Sequence, residues 1–208
     1  MNTTPSEPDG AQGTSAPPLL NIANALTVLR LILVPVFVWL MLQPGDVLRM
    51  IATVVFIVAA VTDKLDGQLA RSRGLITSFG KIADPIADKA LTLSAFILLS
   101  VAGRLWWWVT IIIIVRELGI TLMRFMMLRR AVMAASRGGK LKTTLQMTGL
   151  IGLLAPWTMF LPGWLATALT VAAYVAIGAA LVVTVITGVD YVAQAIKIAR
   201  GTAEERTA

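Results

Sequence analysis

Four aspartates lie close together in a part of the chain that is otherwise mostly apolar; they are Asp63, Asp66, Asp84 and Asp88. The first two are three positions apart and the last two are four apart, so on helices each pair shares one face. Four carboxylates at one spot repel one another strongly in a low dielectric. Divalent cations relieve this repulsion, and carboxylate oxygens are suitable ligands for them. The spacing therefore predicts a site for two metal ions, of the kind that supports phosphoryl transfer.

The choice of metal is narrowed by two residue types that the sequence lacks. It contains neither histidine nor cysteine, so imidazole and thiolate ligands are excluded, as are disulfides. A metal site must then use oxygen ligands, which favour hard cations such as Mg²⁺, Mn²⁺ or Ca²⁺. We expect a dinuclear site that takes Mg²⁺ or Mn²⁺.

Two glycines and an arginine accompany the aspartates. Gly67 and Gly80 share the helix faces of the two acidic pairs, and a residue without a side chain lets a ligand approach the backbone. Arg71 lies on the face of the first pair and offers a forked donor for phosphate. Carboxylates, metal ions, glycines and an arginine together predict a site for a diphosphate.

A structural interpretation of the same residues stays open. The aspartates could form a solvated cluster of ion pairs with their basic neighbours, which are Lys64, Arg71, Lys81 and Lys89. Asp84, which precedes Pro85, could be a helix N-cap. Any one of these aspartates alone is more often structural than catalytic.

The elements that must position these residues are apolar. Of the 208 residues, 57% are hydrophobic and 14% are charged, against roughly 45–50% and about 25% in soluble domains. Six apolar segments approach the about 20 residues that a membrane span needs; they cover Ile22–Leu42, Val47–Ala70, Phe79–Val101, Leu105–Leu128, Thr143–Leu161 and Trp164–Val189. Lone strands cannot satisfy their backbone in lipid. We expect an all-α polytopic membrane protein with six transmembrane helices, preceded by a short amphipathic segment in NIANALTVLR, residues 21–30.

One membrane domain accounts for most of the chain. Residues 1–18 contain Pro, Gly, Ser and Thr with almost no large apolar groups, so we expect a disordered N-terminal tail. Residues 19–200 form the six-helix domain, and residues 201–208 are expected to be a flexible C-terminal tail.

The charges predict the orientation in the membrane. One side of the six segments carries most of the cations, namely Arg71, Arg73, Lys81, Arg129, Arg130, Arg137, Lys140, Lys142, Lys197, Arg200 and Arg206. The other side carries Arg49 and Arg104, next to the run of three tryptophans at 106–108. By the positive-inside rule, both termini and the aspartates face the cytoplasm of a bacterial-type cell membrane. The net charge of +7 then reflects topology and anionic substrates, and we expect no nucleic-acid partner.

The full pattern resembles a known family. Asp63-x-x-Asp66-Gly67-x-x-Ala70-Arg71, eight further residues, and Gly80-x-x-x-Asp84-x-x-x-Asp88 are similar to the complete signature of the CDP-alcohol phosphatidyltransferases. The resemblance implies a six-helix membrane fold, a homodimer and a dinuclear metal site near the cytoplasmic face. It also implies transfer of a phosphatidyl group from CDP-diacylglycerol to an alcohol, with release of CMP.

The resemblance also implies roles for individual residues. It makes all four aspartates metal ligands, and it makes Asp88 the base that takes the proton of the acceptor hydroxyl. The residues that map onto the nucleotide and diphosphate pocket are Gly67, Arg71, Thr77 and Gly80.

The segment NIANALTVLR adds a weaker resemblance. Asn24, Thr27 and Arg30 match the N-terminal helix of family members that use glycerol 3-phosphate, where this helix borders the nucleotide pocket. Ala23 stands where many members have proline. An ordinary interfacial helix, with Thr27 and Arg30 facing water, explains the segment equally well.

A second basic group bears on the acceptor. Arg116, Glu117 and Arg124 lie within an apolar segment, where charges are costly and tend to mark function. Lys140 and Lys142 follow at the start of the next segment, so these cations could bind a second anionic substrate, such as a phosphorylated alcohol. The pattern R-E-x-x-x-x-x-x-R followed by G-K-x-K-T-x-x-Q resembles the branch that uses glycerol 3-phosphate. In the alternative interpretation, Glu117 pairs with an arginine for packing and Lys142 only sets topology.

These resemblances imply phosphatidyl transfer to glycerol 3-phosphate, with Arg116, Arg124, Lys140 and Lys142 binding the acceptor phosphate. Another acceptor, such as inositol phosphate, serine or phosphatidylglycerol, is the first alternative. A cation transporter is the second, although its acidic residues would be spread over several spans.

Overall fold

The computed structural model describes the backbone of residues 22–73, 78–127 and 137–207, and the side chains of residues 25–63, 86–122 and 141–189. Over the described backbone the chain forms six α-helices and one short 3-10 turn, and no strand. The helices are α1 Ile22–Leu42, α2 Asp46–Arg73, α3 Ser78–Val101, α4 Trp107–Met127, α5 Arg137–Leu154 and α6 Gly163–Thr207, with the 3-10 turn at Trp157–Met159. The prediction of an all-α chain with six main helices is confirmed.

Most helix ends lie within a few residues of the predicted segments, and the exceptions are α5 and the C-terminal end of α6. The apolar pattern continues to Leu161, whereas the helix ends at Leu154. Pro156 explains the difference, because proline donates no backbone hydrogen bond and disfavours helical geometry in the residue before it. At the other end of the chain, α6 continues through Thr207, over most of the predicted C-terminal tail. The predicted N-terminal tail, residues 1–18, lies outside the described residues.

Two helices contain a described stretch that is long and apolar enough to cross a membrane. These stretches are Ala25–Leu42 in α1 and Gly163–Val189 in α6. Residues 22–30 of the predicted amphipathic segment form the first turns of α1 and do not make a separate element. The prediction that all six helices cross the membrane stays a prediction.

Helix α1 packs against α2 and α3, while α6 packs against α5 and α4. The rings of Phe37 from α1 and Phe56 from α2 lie 5.5 Å apart between centroids, and Phe96 of α3 is buried in the same core. Between α5 and α6 the contact depends on small residues: a Cβ atom added at Gly152 would lie 2.5 Å from the Cβ of Ala173. Small residues of this kind let helix backbones approach closely.

Contacts between distant residues define two ends of the helix bundle. At one end, side chains of α1 and α2 meet, as do those of α3, α4 and α5. At the other end, Arg49 of α2 reaches the backbone after α5, and Tyr174 of α6 reaches the connection between α3 and α4. Turns at this second end contain Gly45 and Gly103, with φ values of +107° and +66°, which only glycine adopts without strain. The aspartate motif therefore belongs to the first end.

Candidate active site

A buried arginine holds the first aspartate of the motif. Arg30 on α1 is fully buried, and its Nη1 lies 2.7 Å from Oδ1 of Asp63 on α2. An uncompensated charge would be costly in this position, so the carboxylate partner stabilises both Arg30 and the α1–α2 contact. Asp63 keeps 35% of its side chain exposed, and the pair therefore orients a carboxylate that remains accessible.

Thr27 lies one turn before Arg30 on the same helix and is also buried. The two side chains thus point into the protein, which contradicts the alternative in which they face water. The backbone of Asn24 belongs to α1, but its side chain lies outside the described residues.

Glu117 is the centre of a second ionic cluster, which joins three helices. Its carboxylate accepts a hydrogen bond from Lys89 of α3 and forms an ion pair with Lys142 of α5. Arg116, the preceding residue on α4, places Nη1 3.1 Å from Oε1 of Glu117. Glu117 and Lys142 are both buried. Three cations around one carboxylate leave an excess of positive charge, which favours an anionic ligand.

A small cavity of ≈ 30 Å³ connects this cluster with the aspartate motif. Its polar lining consists of Asp88, Lys89, Glu117, Lys142 and further side chains from α3 and α5, namely Thr92, Thr143 and Gln146. Asp88 is partly buried here. The structure therefore places the predicted catalytic base in the same cavity as one predicted acceptor ligand, Lys142.

The side chain of Arg116 makes different contacts from those predicted for a ligand of the acceptor phosphate. Its Nη2 donates a hydrogen bond of 2.7 Å to Oγ1 of Thr187 on α6, and its Cγ lies close to Gly188. Arg116 is not one of the described residues that line the cavity. In this structure it connects α4 to α6 and flanks Glu117, so the pairing of Glu117 with an arginine that the alternative interpretation describes is present.

Several predicted site residues lie outside the described side chains: Asp66, Gly67, Arg71, Thr77, Gly80, Asp84, Arg124 and Lys140. Their predicted roles stay predictions, as does the convergence of all four aspartates.

The chemistry of the available donors fits a hard divalent cation. Asp63 and Asp88, the two predicted ligands with described side chains, offer carboxylate oxygens on neighbouring helices, and such oxygens suit Mg²⁺ or Mn²⁺. Within the described side chains, no group of three acidic residues is arranged to hold a metal. The other two predicted ligands are not part of that set.

Two residues of the cavity, Lys89 and Gln146, have no assigned role in the sequence-based prediction. Lys89 lines the cavity and pairs with Glu117, although its position directly after Asp88 predicts only a basic neighbour. Gln146 lies in the same cavity. It is the last residue of the pattern G-K-x-K-T-x-x-Q, and this position in the sequence could have indicated that it belongs to the site.

Comparison with known proteins defines the class. Residues 20–186 match the family model of the CDP-alcohol phosphatidyltransferases, a family of membrane-embedded enzymes. The match covers most of the chain, and the chain therefore belongs to this family.

Individual relatives narrow the comparison. The chain is 47% identical over 195 residues to a probable phosphatidylglycerophosphate synthase of Mycobacterium tuberculosis, which covers 92% of this chain and 90% of the relative. It is 36% identical over 149 residues to the CDP-diacylglycerol–glycerol-3-phosphate 3-phosphatidyltransferase of Bacillus subtilis. That alignment covers 65% of this chain and 77% of the relative. The enzyme of the same name from Haemophilus influenzae is 42% identical over 140 residues. That alignment covers 64% of this chain and 75% of the relative.

Proposed function

We propose that this protein transfers the phosphatidyl group of CDP-diacylglycerol to sn-glycerol 3-phosphate, which yields phosphatidylglycerophosphate and CMP. Membership of the family supports the reaction class. Relatives named for the glycerol 3-phosphate reaction support the acceptor. The structural observation that carries the proposal is the shared cavity, where Asp88 lies beside the cations Lys89 and Lys142.

The cationic cluster suits the acceptor phosphate. Lys89 and Lys142 approach the cavity from α3 and α5, and Glu117 holds both ammonium groups in place. An incoming phosphate would exchange with Glu117 for these donors, and charge-assisted hydrogen bonds of this kind are among the strongest in proteins. In this proposal Lys142 and Lys89 contact the phosphate, while Lys140, Arg116 and Arg124 supply further positive charge.

Asp88 is the proposed general base. Its carboxylate would accept the proton from the primary hydroxyl of glycerol 3-phosphate while that oxygen attacks the β-phosphorus. The new P–O bond forms as the bond to CMP breaks, and CMP leaves with the electron pair. Mg²⁺ or Mn²⁺ held by Asp63, Asp66, Asp84 and Asp88 would polarise the diphosphate and stabilise the charge on CMP.

The remaining proposed contacts belong to the lipid-linked nucleotide. We assign CDP-diacylglycerol to a pocket that comprises Asn24, Thr27, Gly67, Arg71, Thr77 and Gly80. The buried position of Thr27 supports a role inside the protein. Arg30 keeps Asp63 oriented at the edge of this pocket.

The proposed setting is a bacterial-type cell membrane. All six helices would cross it, with the termini and the active site on the cytoplasmic side, in contact with membrane lipids and as a homodimer. The apolar stretches of α1 and α6 and the asymmetry of basic loops support this arrangement. Labelling of single cysteines introduced at positions 44, 102 and 137 of the cysteine-free chain tests it, because the exposed positions 44 and 102 should react from outside and position 137 from inside.

Acceptor-dependent release of CMP is the decisive experiment. Purified protein receives CDP-diacylglycerol with glycerol 3-phosphate, inositol phosphate, serine or phosphatidylglycerol, each with Mg²⁺ and with chelator. We expect rapid release only with glycerol 3-phosphate and Mg²⁺. A faster rate with another acceptor would overturn the acceptor assignment, and equal rates in chelator would overturn the metal site.

A further inference from the structure

A second pocket, which contains two arginines, lies at the opposite end of the helix bundle from Asp63. It has a volume of ≈ 340 Å³ and lies between the first turn of α2, the α3–α4 connection and the segment that leads from α5 into α6. Arg49 lines this pocket and precedes Asp63 by 14 positions on α2, or about 21 Å at 1.5 Å per residue. The pocket is therefore separate from the candidate active site.

Arg49 is held rigidly in the pocket wall. Its Nη2 donates hydrogen bonds to the backbone carbonyls of Leu153, at 2.8 Å, and Ala155, at 3.2 Å. Its Nε has no hydrogen-bond partner among the described residues. Carbonyl oxygens orient the guanidinium without cancelling its charge, so Arg49 presents a fixed positive group to the pocket.

The charges around the pocket do not balance. Arg104, which is exposed, lines the same pocket, and its charge repels that of Arg49. Asp46 is the one acidic residue among the described lining residues. Its carboxylate is 58% exposed and lies 3.9 Å from Nη1 of Arg49, a distance at which an exposed ion pair contributes little. One net positive charge remains, which matches a monoanion.

The surroundings indicate where such an anion would come from. Three exposed tryptophans, Trp106, Trp107 and Trp108, begin two residues after Arg104, and exposed Trp164 lies in the first turn of α6. Tryptophans are enriched at the level of lipid headgroups. The hydroxyl of Tyr174 donates a 2.5 Å hydrogen bond to the backbone carbonyl of Arg104, which holds the arginine-bearing connection against α6. A lipid phosphodiester would be the monoanion available at this depth.

We propose that Arg49 and Arg104 form a binding site for a phosphate group, supplied by the headgroup of an anionic phospholipid on the side opposite the active site. The guanidinium groups would share the phosphate oxygens and so relieve their mutual repulsion. The bound lipid would join α2, the α3–α4 connection and the start of α6.

The test uses the full-length protein, stripped of lipid in a neutral detergent, and native mass spectrometry with added phosphatidylglycerol. Arg104→Gln removes an exposed cation, so folding is retained, and we expect affinity for the lipid to fall about tenfold or more. Asp46→Asn removes the competing carboxylate and keeps the size of the side chain in the first turn of α2, so affinity should rise a few fold. Release of CMP should be unchanged in both variants, which separates this site from the active site.

Two additional probes identify the source of the phosphate. Diacylglycerol, which lacks a phosphate, should not bind in an Arg104-dependent way. Inorganic phosphate at millimolar concentration should displace bound phosphatidylglycerol poorly. If it displaces the lipid as readily as a competing phospholipid does, the assignment to a lipid is overturned. Equal affinity for phosphatidylglycerol in the wild type, Arg104→Gln and Asp46→Asn would overturn the site itself.

Discussion

Arg30 has no solvent exposure, and it places its guanidinium 2.7 Å from the carboxylate of Asp63 on the neighbouring helix. The contact links α1, the segment with the weaker family resemblance, to the first aspartate of the signature. Arg30 therefore acts on the proposed metal site through Asp63, as a positioning residue.

Replacing Arg30 should lower activity without a matching loss of substrate affinity at the acceptor site. In Arg30→Gln the ion pair with Asp63 is lost, so we expect transfer to fall about ten- to hundredfold. Arg30→Lys keeps the positive charge but loses the forked donors of the guanidinium group, and it should retain part of the activity. The KM for glycerol 3-phosphate should stay near the wild-type value. Wild-type turnover in a folded Arg30→Gln protein would contradict the role.

Asp88 should be indispensable. Asp88→Asn keeps the size of the side chain but cannot accept the proton, and it removes one proposed metal ligand, so CMP release should fall by about a hundredfold or more. Asp46→Asn makes the same chemical change at the far end of the bundle and is the matched control. Size-exclusion profiles of the two variants verify folding. Asp88→Asn with at least half of the wild-type rate would exclude Asp88 as the base.

Most of the helices could be predicted because they follow apolar runs of the right length, as α3 does over Ser78–Val101. The end of α5 was missed, because hydropathy continues beyond Pro156 whereas the backbone constraint of proline ends the helix. Local pattern also places Asp63 and Asp88 on helix faces. It could not predict the partners of Arg30 and Lys89, because each partner lies on a different helix and the pairing depends on how the helices pack.

The contacts of Arg116 also could not be predicted from the local sequence pattern. Its place in an apolar segment predicts a functional charge, and the R-E pair resembles the branch that uses glycerol 3-phosphate. Its hydrogen bond to Thr187 depends on the contact between α4 and α6, which no spacing within α4 specifies.

Glu117 should be needed for stability. Bound glycerol 3-phosphate should restore part of the stability that a Glu117 variant loses. In Glu117→Gln the ammonium groups of Lys89 and Lys142 lose their shared carboxylate, and an unpaired buried charge costs about 3–5 kcal/mol. We expect a lower unfolding temperature in detergent. Glycerol 3-phosphate should raise it more in the variant than in the wild type, because the phosphate replaces the missing negative charge. Glycerol, which is neutral, should not. Equal stabilisation of both proteins by glycerol 3-phosphate would show that the phosphate binds elsewhere.

The contact between α5 and α6 should be sensitive to a single methyl group at one glycine and not at another. The Cβ of Gly152→Ala would lie 2.5 Å from the Cβ of Ala173, so the helices must separate, whereas the Cβ of Gly178→Ala meets no atom within 4 Å. Both changes gain the helix propensity of alanine over glycine, about 0.8–1 kcal/mol, so the difference between them isolates the contact. We expect Gly152→Ala to be less stable than Gly178→Ala by about 1–3 kcal/mol, the usual cost of overpacking. Thermal unfolding of both variants in the same detergent measures this difference, and equal unfolding temperatures would mean that α5 and α6 are not in close contact.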